Sequence, residues 1–161
     1  MAKLTSEVAA ADIDLEPAEQ ELLVEEVQAF ARTLGDPASR ERYAELGRHV
    51  QLGRVPADLT GILEAMLELV LQTQRIRRIY GPEAEKVLSE LFFRTRRGAG
   101  LRRAAREVNR ALEVLRGQQL ENLSIVAGPG RHTLVIDSSA GHFTLKLDGA
   151  GVRLESVEVA G

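Results

Sequence analysis

Cysteine and tryptophan are both missing from this chain, and aromatic side chains are limited to four phenylalanines and two tyrosines. Without cysteine there is no disulfide, no thiolate nucleophile and no thiolate-bound metal. So few aromatic rings leave too little flat surface for the base-stacking platforms of single-strand nucleic-acid binders. Lysine is scarce as well, only Lys3, Lys86 and Lys146, so the cationic surface is built from arginine. Long apolar runs are lacking: the most apolar stretch, Leu59 to Leu71, is interrupted by Glu64 and Glu68. It is shorter than the roughly 20 residues a membrane span needs, so it reads as a buried helix. The segment "MAKLTSEVAAADIDLEP" also lacks the apolar core of a signal peptide, so a cytoplasmic protein without membrane contact is expected.

What is present suits a globular chain. At 161 residues, with 44% hydrophobic and 28% charged residues, the sequence can bury one aliphatic core. The net charge of −3 conceals a segregation of sign. Residues 1–31 carry eight acids against Lys3 alone, whereas residues 75–116 carry twelve bases against five acids. Either the acidic N-terminal helix neutralises the basic region within the fold, or each patch faces a partner. The first arrangement needs no second molecule and is the simpler expectation.

Proline is tolerated in the first turn of a helix and breaks its interior, so Pro17, Pro37, Pro56 and Pro82 mark helix starts. Asp36 can cap the helix opening at Pro37. Helices are therefore predicted at 17–34, 37–51, 57–80, 82–97 and 101–117. Gly35, Gly81, Gly98 and Gly117 fall just beyond four of those ends. Within the third, Leu59, Ile62, Leu63, Met66, Leu67, Val70 and Leu71 recur at spacings of three and four, widened by Leu69 and Ile76, which predicts the central helix of a bundle.

After Gly117 the period becomes two. "NLSIVA", "HTLVIDS", "HFTLKLD" and "GVRLESVEVA" read as strands separated by "GPGR", "SAG" and "DGAG", an antiparallel meander. Phe143, Leu145 and Leu147 mark one buried face. Val152 and Leu154 fall on the opposite parity from Val157 and Val159, so a bulge near Glu155-Ser156 is predicted. The fold class is α+β: four to five helices, then a four-stranded antiparallel meander packed on the last helix. The expected organisation is a tail over 1–16, a helical region over 17–117 and the meander over 118–161, with 17–161 forming one compact domain.

The segment "RTRRGAGLRRAAR" gathers the most prominent chemistry. Arg102, Arg103, Arg106 and Arg110 fall opposite the apolar arc of Leu101, Ala104, Ala105, Val108, Ala111, Leu112 and Leu115, as on any solvated helix. Arg94, Arg96 and Arg97 lie beside Gly98 and Gly100, where free N–H groups and the helix dipole would favour an anion. These nine positions are the candidate surface for a phosphate or nucleic-acid ligand, although the strand–loop–helix context of a nucleotide site is absent.

"DSSAGH" holds Asp137, Ser138, Ser139 and His142, residue types of a hydrolase triad, and a hairpin centred between Ser139 and Ala140 would pair Asp137 with His142 across the strands. Acyl transfer also requires a pocket and oxyanion donors, so an ordinary charge contact is expected and no catalytic residue is assigned. His132 lies far from His142 in that register, and His49 stands alone. Glu64 and Glu68 share a helix face, yet the Glu-x-x-His spacing of di-iron bundles is missing. No metal or cofactor is expected. The reading that remains is a non-enzymatic interaction or scaffold module that self-associates, a dimer favoured, through the helix 57–80, a sheet edge or both. A nucleic-acid or phosphate-ligand binder using Arg94 to Arg110 is the alternative.

Overall fold

The computed structural model describes residues 11–159. Among the described residues six helices precede a four-stranded antiparallel sheet, and the last helix packs on that sheet. The chain divides into two compact units, Met1–Ala99 and Gly100–Gly161, the division falling inside the sixth helix.

In the first unit, α1 (Pro17–Thr33) and α2 (Pro37–Gln51) each open with proline at the predicted position. Asp36 caps α2 by accepting from the Ser39 N–H at 2.8 Å. Glu16 and Glu19 form a capping box at the start of α1. Part of the segment expected as a tail is structured: β1 (Ile13–Asp14) pairs with β2 (Arg54–Val55) in an antiparallel ladder. Asp12 fixes the junction by accepting from Arg54 at 2.8 Å and from the Ala57 N–H at 2.9 Å. The rest of the expected tail, residues 1–10, lies outside the described residues.

The expected single helix 57–80 is two helices, α3 (Thr60–Gln72) and α4 (Arg75–Tyr80). Between them Gln74 adopts a left-handed φ of 55°, a conformation costing a non-glycine residue on the order of 1 kcal/mol or more. Contacts made beyond the break offset that cost. Arg78 returns a donor to the Thr73 carbonyl at 3.0 Å, Ile76 is fully buried, and Arg75 reaches Glu26 of α1 at 2.9 Å. The core of this unit is aliphatic: Leu23, Leu46, Leu63, Met66, Leu67, Ile76, Leu88 and Leu91 are fully buried. Each such side chain contributes roughly 1.5 to 3 kcal/mol by leaving water.

The next two boundaries also differ from expectation. α5 (Pro82–Phe92) ends early and α6 (Arg96–Leu112) starts early, followed by a 3-10 turn at Glu113–Leu115. The joint is therefore Phe93 to Thr95, and Gly98 and Gly100 lie inside α6. Thr95 is the cap: its buried hydroxyl donates to the Phe92 carbonyl at 2.7 Å and accepts from the Gly98 N–H at 3.2 Å. Gly98 is there because a Cβ at that position would lie 2.0 Å from the Phe92 carbonyl oxygen.

In the second unit, β3 (Leu120–Gly128), β4 (Arg131–Ser138), β5 (Gly141–Asp148) and β6 (Gly151–Val159) form the meander in sequence order. The Asp137–His142 pairing appears as predicted. So does the bulge: Ser156 pairs with Thr144 and Leu154 with Leu145, leaving Glu155 extra. One face therefore collects Leu134, Ile136, Phe143, Leu145, Leu147, Val152, Leu154, Val157 and Val159, joined by Leu123 and Ile125 of β3. Val108 of α6 packs into the centre of that face with Ile136, Phe143 and Leu145, and Leu112 and Leu115 flank it.

Candidate functional site

The arginines singled out in the sequence meet different surroundings. Arg94 pairs with Glu19 of α1 and donates to the Asp14 carbonyl at 3.0 Å. Arg97 donates from Nε to Glu68 at 2.9 Å, while its backbone N–H donates to Glu64 at 2.8 Å. The first turn of α6 therefore already receives a carboxylate from α3 and the Thr95 hydroxyl, the partners an external anion would otherwise supply. The acids of α1 likewise neutralise bases of the same unit, Glu19 with Arg94 and Glu26 with Arg75. Gly98 is buried against Phe92, and its missing side chain serves packing.

Arg96 opens α6 on its exposed side. In the second unit, Gly100 has open space at its Cβ position. Arg102 is half-buried, whereas Arg103, Arg106 and Arg110 are exposed along α6. Those last three carry no ion pair among the described residues.

A second constellation lies on the sheet face away from α6. Asn122, Asp137 and His142 stand in one cross-strand row. Asn122 donates to Asp137 at 3.0 Å. Asp137 contacts His142 Nδ1, and His142 Nε2 lies 3.1 Å from the Thr144 hydroxyl. The His142 bond, then that of Asn122, holds the Asp137 carboxyl below the usual carboxylate range. With its proton on Nδ1, His142 donates to Asp137 and accepts from Thr144, the order in which a proton moves in Ser-His-Asp chemistry. Ser138 and Ser139 are not part of this line: Ser138 faces the turn, 3.2 Å from the Gly141 carbonyl, and Ser139 bonds Gln118. Thr144 was missed in the sequence although its position two residues after His142 places it on the same strand face. β5 is paired on both sides, to β4 and β6, so its backbone supplies no free row of donors for an oxyanion.

Glu64 and Glu68 turn toward Arg97 and form no metal cluster, and no group of metal-ligating side chains occurs among the described residues. No helix among the described residues is long and apolar enough to cross a membrane. Compared with protein-family models, curated proteins and solved structures, the chain finds no match.

The sheet edges form the third feature. β6 carries Arg153, Glu155 and Glu158 and the bulge, devices that discourage pairing with another strand. β3 has Glu121 near its start and an irregularity between Leu120 and Asn122, then runs uncharged from Asn122 to Gly128. Along that run Leu123, Ile125 and Val126 are 60%, 68% and 58% exposed.

Proposed function

We propose that the protein is a non-enzymatic interaction module whose sheet pairs with a second copy of itself along β3, forming a homodimer. The observation that carries this reading is the contrast between the two edges: β6 is charged and bulged, whereas β3 offers an uncharged row from Asn122 to Gly128 with three large apolar side chains in water. An unpaired edge of that kind is a template for another strand. A second β3 fits it because antiparallel pairing about a two-fold axis brings no like charges together and sets Leu123 and Ile125 beside apolar partners. The segment 57–80 offers less, since α3 and α4 bury most of its apolar residues and leave only Leu69 and Ile79, ten residues apart on two different helices, among its exposed large hydrophobics. Amide hydrogen exchange tests the pairing: protection of Asn122 to Gly128 should rise with protein concentration while that of β4 stays constant. Concentration-independent exchange of β3 contradicts it.

A second reading rests on Arg103, Arg106 and Arg110, exposed on one helix and without ion pairs among the described residues. Such a row attracts phosphates, and binding to generic DNA or RNA would weaken steeply with salt as counterions are released. Arg94 and Arg97 contribute less to it, being engaged with Glu19, Glu64 and Glu68.

A further inference from the structure

We propose that the groove between α1 and α2 binds a small amphipathic anion, an apolar body bearing one carboxylate or sulfonate. The groove has a volume of about 390 Å³, within the range of roughly 300 to 1,000 Å³ usual for small-molecule sites. Its apolar lining is Val27 and Ala31 of α1 with Tyr43, Ala44 and Gly47 of α2. Its polar lining is Arg32, Arg48 and two glutamines, with no carboxylate.

That absence carries weight, because α1 bears Glu19, Glu21, Glu25 and Glu26 and directs all of them elsewhere than this lining. Neither Arg32 nor Arg48 pairs with a carboxylate among the described residues. Arg32 lies in the last turn of α1 and Arg48 in the last turn of α2. Because a three-residue connection turns α1 back into α2, and Gln20 of α1 bonds the Gln51 carbonyl at 2.6 Å, these helix ends lie at opposite ends of the groove. An anionic head meets a guanidinium at one end, and the apolar body lies along the apolar lining.

Gly47 is the second observation. A glycine inside a helix weakens it relative to alanine, and close helix packing commonly explains one. Here a Cβ would meet only Val27 Cγ1 at 3.5 Å, an ordinary contact. The missing side chain instead deepens the groove between Val27 and Tyr43.

The test uses the full chain with decanoate and its uncharged analogue decanol, read by NMR of the Val27, Ala31 and Ala44 methyl groups. Saturable shifts confined to those methyls are expected with decanoate, with decanol binding more weakly. The double variant Arg32→Gln/Arg48→Gln should weaken decanoate about tenfold, the equivalent of losing one charge-assisted contact. Gly47→Leu, which fills the groove while favouring the helix, should abolish the shifts, and Ala44→Phe serves the same end at an exposed position. Absence of saturable shifts in the wild type, or their survival in a folded filled variant, overturns the site. Equal binding of decanol and decanoate overturns the anionic ligand class.

Discussion

Glu26 of α1, 2% exposed, accepts Arg75 Nε at 2.9 Å and the Tyr80 hydroxyl at 3.1 Å, so one buried carboxylate ties the first helix to both ends of α4. A buried charge is tolerated only with partners in place. Arg75→Met should therefore destabilise the protein by about 1 to 2 kcal/mol in chemical denaturation, less than the loss of a fully buried partner because Arg75 itself is 42% exposed and Tyr80 still bonds Glu26. Adding Glu26→Leu to that variant should recover a substantial part of the loss, since the orphaned charge is then gone. Equal stability of Arg75→Met and wild type contradicts this role.

Tyr80 reads the same cluster through pH. Burial, then the bonds to Glu25 and Glu26, push its phenol up to about 12 from an ordinary value near 10. A raised folded value means that the folded state holds the proton more tightly. Its contribution is fully present below pH of about 10 and is lost as pH rises toward about 12. Tyr43, raised by burial, titrates in the same direction. The alkaline loss of stability should therefore be shallower in Tyr80→Phe than in wild type without vanishing, and superimposable profiles would count against the assignment.

Two glycines in one helix should behave oppositely. Gly98→Ala places a methyl 2.0 Å from the Phe92 carbonyl oxygen, so the Phe92–Thr95 joint must shift, at a cost of about 2 kcal/mol or more. Gly100→Ala meets open space and should stabilise by up to about 1 kcal/mol through helix propensity. Thermal denaturation of both variants decides it, and a neutral Gly98→Ala contradicts the packing role.

Those glycines also mark where sequence reasoning stopped. "RRGAGL" looks like a helix break because glycine usually ends helices, yet the close approach of Phe92 to Gly98 is a spatial fact that glycine content alone does not announce. The split at Gln74 is of the same kind: Thr73-Gln74 holds no glycine or proline, and the contacts that accompany the break, such as that of Arg75 with Glu26, are made with residues far away in sequence. By contrast, Pro17, Pro37 and Pro82 marked their helix starts locally. The parity change between Leu154 and Val157 located the bulge because period two is strict along a strand. Acid–base segregation likewise foretold pairing within the fold, though only the structure shows that Glu19 takes Arg94 and Glu26 takes Arg75.

On the outer sheet face, the lowered Asp137 carboxyl predicts an acid limit to stability. A depressed folded value gives a contribution present above pH of about 4 and lost as pH falls through the folded value. Removing the His142 bond, the largest cause, should let Asp137 titrate closer to its ordinary range in His142→Ala. Carboxyl chemical shifts against pH measure this directly, and an unchanged Asp137 titration contradicts the pairing.

The pairing of β3 with its copy is tested most directly by multi-angle light scattering of wild type beside Ile125→Lys and Val126→Lys, positions 68% and 58% exposed, where a lysine is compatible with folding. The wild type should show twice the 17.6 kDa chain mass at micromolar concentration, and each lysine should return it to a single chain, because two like charges then meet at the edge. A wild-type monomer across that range, or a dimer unchanged by both lysines, would contradict self-association through β3.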